Sequence, residues 1–143
     1  MAYVSVITGG TGGMGIEIAK RLAKNTKILL CGRRESKLAE AKAALKDCEN
    51  VEYAVMDVVN RADIKAAVEK AREMGEVKNV IHAAGVNEFT NGKPNDPGFI
   101  LENNIKGAQY IAEAFLPIIC EGGSYLNIAS MSSYYNPLPD YID

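Results

Sequence analysis

Thr8-Gly9-Gly10-Thr11-Gly12-Gly13-Met14-Gly15 is the stretch around which the rest of the chain is read. Five of the seven positions from 9 to 15 are glycine, more than the two a tight turn asks for. The stretch follows a short β-branched run, Ala2 to Thr8. It opens a segment, Gly13 to Lys24, that carries Ile16, Ala19 and Ala23 on one helical face. A glycine-rich loop between a strand and a helix suits a pyrophosphate. Residues without Cβ accept positive φ and allow close backbone approach, and the helix N-terminus adds free N–H groups and a positive dipole end. The candidate contacts are Gly9, Thr11, Gly12, Gly13, Met14 and Gly15.

Outward from this loop, short β-branched runs alternate with longer helical stretches. Lys27 to Cys31 and Val51 to Met56 read as strands; between them Glu35 to Asp47 reads as a helix with Leu38, Ala41 and Leu45 inward. The spacing predicts a third helix over Arg61 to Met74, facing inward through Ile64, Ala67, Val68 and Ala71 and closed by Gly75. Val77 to His82 is a fourth strand, followed by a polar loop, Asn87 to Pro97, and a long helix to about Cys120. Gly122-Gly123 then leads into a fifth strand, Ser124 to Ala129. Each connector is at least ten residues long. Such connectors make a parallel sheet, and right-handed crossovers make it doubly wound. Residues 1–143 read as one domain, with no repeat, linker or low-complexity segment.

Composition narrows the function. The chain has 143 residues and 15.4 kDa, with 48% apolar and 24% charged residues, an ordinary globular mix. Eighteen acidic against sixteen basic side chains leave a net charge of −2, so no basic excess exists for nucleic acid or anionic lipid. The apolar runs Lys27 to Cys31 and Ala114 to Cys120 are too short to span a bilayer, and no secretory signal is visible before Val4. Three cysteines in unrelated contexts read as reduced core thiols of a cytoplasmic protein, and one histidine argues against a His-based metal site.

A dinucleotide also needs its ribose recognised from the end of the second strand, where NAD-selective folds usually place an acid. This chain has Cys31-Gly32-Arg33-Arg34 instead. A guanidinium matches a 2′-phosphate bidentately, so the two arginines argue for NADP, with Arg33 the candidate contact and NAD the second choice; solvated charges ahead of the next helix are the alternative. Asp57, after the third strand, is a candidate for the adenine amino group or for capping the following helix.

At this point the chain resembles the short-chain dehydrogenase/reductase family over essentially its whole length. Thr8-Gly9-x-x-x-Gly13-x-Gly15 matches that family's cofactor signature, and Asp57-Val58 its adenine-contacting pair. His82-Ala83-Ala84-Gly85 is similar to its Asn-Asn-Ala-Gly motif, with His82 and Ala83 departing from the two asparagines. Asn104-Ile105-Lys106-Gly107 resembles its Asn-x-x-Gly motif, and Leu126-Asn127-Ile128-Ala129-Ser130 the strand end that presents the catalytic serine. The resemblance implies a Rossmann-type doubly wound parallel sheet of about five strands in the order 3-2-1-4-5. It implies hydride transfer between nicotinamide and a small-molecule carbonyl or secondary alcohol, in a homo-oligomer. Ser130 would polarise the carbonyl and Asn104 support a proton relay; Ala83, Ala84 and Gly85 would flank the nicotinamide-side ribose. A turn serine and a solvated asparagine are the plainer readings of Ser130 and Asn104, and His82 reads as a strand-end structural residue rather than an acid or base.

The family's chemistry rests on Tyr-x-x-x-Lys, whose lysine lowers the tyrosine pKa. No lysine or arginine follows Lys106, so the lysine is missing; Tyr141 stands near the family's usual spacing from Ser130, or belongs to an insertion that begins at Tyr134. The chain thus reads as the N-terminal, cofactor-binding portion, with the C-terminal part of the family fold absent. Its fifth strand is expected to be an exposed edge prone to self-association. Two other readings stand beside the reductase: an extended-branch nucleotide-sugar epimerase or dehydratase, which Thr8-Gly9-x-x-Gly12-x-x-Gly15 also fits, and a non-catalytic NADP-binding module.

Overall fold

A computed structural model of the chain describes residues 2–87, 89–90 and 94–130. Tyr134, Tyr141 and the serines at 132 and 133 lie outside them. The elements alternate as β1 (Tyr3–Thr8), α1 (Gly13–Leu22), β2 (Lys27–Gly32), α2 (Glu35–Ala44), β3 (Val51–Val55), α3 (Arg61–Met74) and β4 (Glu76–His82). After the polar loop come α4 (Pro97–Leu101), a π-helical turn (Glu102–Lys106), α5 (Gly107–Phe115), a 3-10 turn (Leu116–Ile118) and β5 (Ile119–Asn127).

The five strands pair in parallel in the order β3-β2-β1-β4-β5, a Rossmann-type arrangement. The period-2 alternation of β1 shows why both faces are covered. Val4 and Val6 point into a core with Leu29, Val80, Ile64, Ala67 and Phe115, beneath α3 and α5. Ile7 points the other way, with Ile28, Leu30, Ala19, Leu38 and Ala41, beneath α1 and α2. α3 begins where Asn60 caps it, its side-chain oxygen accepting from the N–H groups of Ala62 and Asp63, and ends at Gly75, whose φ of 154° suits glycine.

The final connection differs from the periodicity reading. The helix ends at Phe115 rather than near Cys120, because Pro117 has no N–H to continue it. β5 accordingly starts at Ile119 instead of Ser124. Val77 pairs with Ile119 while Asn79 pairs with Ser124, so Cys120 to Gly123 bulge out, with Gly122 at φ 68°. An apolar run before a glycine pair fits a helix end and a bulged strand equally well, and only pairing with β4 decides.

Candidate functional site

The carboxyl ends of the strands open on a groove of about 240 Å³. Thr8, Gly9, Thr11 and Gly12 line it from the loop after β1, and Gly32, Arg33 and Arg34 from the end of β2. Met56 and Val58 follow β3, and Ala83 to Val86 and Thr90 follow β4; Asn103 reaches in from the π turn.

The glycine loop is shaped by close approach. Gly9 sits at φ 67°, and a Cβ on it would stand 2.8 Å from the Ala83 carbonyl carbon and the Ala84 nitrogen. A Cβ on Gly15 would meet the Gly9 carbonyl oxygen at 2.6 Å, so only glycine lets α1 pack on its own loop. The Gly10 N–H donates to the Cys31 carbonyl at 3.2 Å, pinning the loop to β2. Gly12 and Gly13 are different. A Cβ on Gly13 would meet nothing within 4 Å, and α1 carries neither a side-chain cap nor an acid in its first turn. Its leading N–H groups, those of Gly13, Met14 and Gly15, are therefore bare among the described residues, whereas Asn60 covers those of α3. An anion in the groove would meet both these donors and the positive end of the helix dipole. The Met14 side chain itself is exposed.

Arg33 and Arg34 occupy the rim at the start of α2, and the Arg33 guanidinium lies 5.9 Å from the centroid of the Phe99 ring in α4. Among the described residues, none that line the groove is a carboxylate. Asp57 is not part of the lining. Its carboxylate accepts from the Val59 N–H at 3.1 Å, and its own N–H donates to Asp63 at 3.0 Å, which shapes the turn presenting Val58. Gly107 lets α5 close on that turn, since a Cβ there would meet Val58 Cγ2 at 2.6 Å.

The loop after β4 is held from two sides. The Thr8 hydroxyl accepts from the Ala84 N–H at 3.2 Å and bonds His82 Nδ1 at 2.7 Å. His82 is buried, and loss of hydration lowers its pKa, which keeps it neutral at pH 7. On the other side, Asn104 bridges Val86 in both directions at 2.8 Å: Oδ1 accepts from the N–H, and Nδ2 donates to the carbonyl. The π turn supplies the place for this asparagine, as such insertions in helices often do. Ser130 stands three residues beyond β5, exposed and outside the groove lining; the Ile128 N–H donates to the His82 carbonyl at 3.0 Å and keeps this end of β5 beside β4. Among the described residues, no cluster of His, Cys, Asp and Glu could hold a metal, and no helix is long and apolar enough to cross a membrane.

The motif reading brought Gly9, Thr11, Gly12, Arg33, Val58, Ala83, Ala84 and Gly85 together, and all eight line the groove. Gly13, Met14 and Gly15 stand in the first turn behind it. Arg34, read together with Arg33, lines it as well; Met56, Val86, Thr90 and Asn103 do so without a motif that marks them. The doubled asparagine at 103 and 104 was the available signal for the last of these, since two amides inside a helix are poor helix formers and call for polar partners.

A parallel sheet in this order, with a glycine loop at its switch point, defines a Rossmann-type fold. The short chain dehydrogenase family profile matches residues 3–141, and the chain belongs to that family. It is 34% identical over 140 residues to an uncharacterised oxidoreductase of Staphylococcus saprophyticus, covering 92% of this chain and 60% of that one. Among solved structures it is similar to actinorhodin polyketide ketoreductase with NADPH (25% identity, TM-score 0.79, 93% of this chain and 55% of that one). It is also similar to serine dehydrogenase from Escherichia coli (28% identity, TM-score 0.76, 92% of this chain and 63% of that one). The chain thus spans about 60% of the length of that curated relative.

Proposed function

We propose that the groove takes a nicotinamide dinucleotide, NADP(H) in preference to NAD(H), and that the chain is the cofactor-binding part of an oxidoreductase acting on a small-molecule carbonyl or secondary alcohol. The observation that carries the preference is the lining itself: two arginines at the end of β2 and, among the described residues, no carboxylate. A dianionic 2′-phosphate gains from that arrangement, and the acid that would hold free ribose hydroxyls is missing. The bare first turn of α1 fits the pyrophosphate, with Gly9, Thr11, Gly12, Gly13, Met14 and Gly15 around it. Asp57 and Val58 flank the adenine, and Ala83 to Gly85 the nicotinamide-side ribose.

The bound nicotinamide supplies the hydride. The chain's own residues position and polarise. Asn104 fixes the loop after β4 through Val86, and Thr8 fixes it through Ala84. Ser130 donates a hydrogen bond to the substrate oxygen as negative charge develops there. The names of the relatives, an oxidoreductase, a ketoreductase and a dehydrogenase, support this reading over an epimerase. The whole protein acts as a homo-oligomer.

Fluorescence titration of the 143-residue chain with NADPH and NADH tests the reading. NADPH is expected to bind at least tenfold more tightly. Arg33→Ala should remove about tenfold of that preference, roughly 1.4 kcal/mol, and leave NADH within about twofold of its original Kd. Equal binding of the two would remove the 2′-phosphate assignment, and no binding of either would remove the dinucleotide.

A further inference from the structure

We propose that Asn103 is a ligand-binding residue of the groove, its side-chain oxygen accepting a hydrogen bond from the 6-amino group of adenine; the inference rests on the dinucleotide reading above. Asn103 is only 3% exposed, and it forms part of the groove wall. Its amide is oriented by the helix: Nδ2 donates to the Phe99 carbonyl at 3.0 Å, and because that carbonyl can only accept, the amide oxygen is the atom left over. Oδ1 has no donor among the described residues. The one fully enclosed side-chain polar atom without a partner among them is Tyr125 Oη, so the Asn103 oxygen is not sealed off, and its residue lines the groove. A nearly buried acceptor with nothing to accept is costly unless a ligand or water satisfies it.

Its position selects the adenosine end. The π turn that carries Asn103 runs into Gly107, which packs directly on Val58. Phe99, whose carbonyl orients the amide, has the Arg33 guanidinium over its ring, on the rim assigned to the 2′-phosphate. Asp57, the other acceptor at this end, bonds Val59 and lies outside the lining. A purine carrying an amine at position 6 offers Asn103 a donor; one carrying a carbonyl there opposes two acceptors. Asn103 therefore discriminates adenine from hypoxanthine.

The test titrates the unaltered chain, Asn103→Leu and Asn103→Ser with NADPH and with its hypoxanthine analogue, the fold of each variant being checked by circular dichroism. Leucine removes the oxygen. Serine can still bond the Phe99 carbonyl one turn back but is too short to reach the groove, which preserves the helix. The unaltered chain is expected to favour NADPH by about tenfold, and both variants to bring the two dissociation constants within about twofold. Persistence of the preference in either folded variant, or its absence from the unaltered chain, overturns the role of Asn103 while the cofactor reading stands. Failure of both dinucleotides to bind the unaltered chain overturns the cofactor reading itself.

Discussion

His82 is the chain's single histidine, buried where β4 ends, with Thr8 on its Nδ1. Burial lowers its pKa below the usual 6.5, so the unfolded chain binds a proton on this group more readily than the folded chain does. The sign follows: this contribution to stability is complete above the unfolded value and is lost as the pH falls below it, toward the folded value. Melting curves between pH 8 and 5 are expected to show stability dropping below about pH 6.5, and His82→Asn should flatten that part of the profile. An unchanged slope in the variant would assign the acid sensitivity elsewhere. Cys31 shows the opposite consequence of burial, its thiol pushed up to about 12, which leaves it protonated and unreactive at neutral pH. Of the two polar residues that begin the motif after β4 and end β1, neither could be assigned its partner from sequence; 74 positions separate Thr8 from His82.

Among the elements, the β1–α1 junction is where local chemistry and tertiary contact part company. Five glycines look alike in the sequence, yet they do different work. Gly9 and Gly15 are required by neighbours 2.8 and 2.6 Å from where a Cβ would lie, and Gly13 by none. Gly9→Ala is expected to cost about 1–3 kcal/mol, through both the positive φ and the collision with Ala83 and Ala84. Gly13→Ala should leave the fold intact or stabilise α1 by about 0.5–1 kcal/mol. Urea unfolding of the two variants separates these outcomes, and equal losses in both would contradict the packing described. The α4–α5 region holds a second distinction. A helix was legible there from its apolar spacing, but the π turn was not, because it depends on Asn104 reaching Val86 across the loop.

At the scale of the whole sheet, β5 is an outer strand among the described residues, and Leu126 and Ile128 are 52% and 36% exposed. An apolar stripe beside an open row of backbone donors and acceptors favours pairing with another copy. The 143-residue chain is expected to associate as its concentration rises, and Leu126→Lys to shift it toward monomer in sedimentation velocity. A monomer at all concentrations would show that the edge is harmless.

The doubly wound sheet was readable from residue order, because parallel strands need long crossovers and five short β-branched runs alternate with four helical stretches along the chain. The glycine loop was equally readable, since backbone conformation and the missing Cβ are local properties. Contacts between residues distant in sequence were not. The helix before β5 and the strand itself share one apolar run, and pairing of Ile119 with Val77 sets the boundary. Asn104 carried a recognisable motif while Asn103 beside it did not, and only helix packing turns the amide of one to a backbone and sets the other in the groove wall. Periodicity reports which face of an element is apolar; which groups meet across the gap between elements depends on close packing in three dimensions.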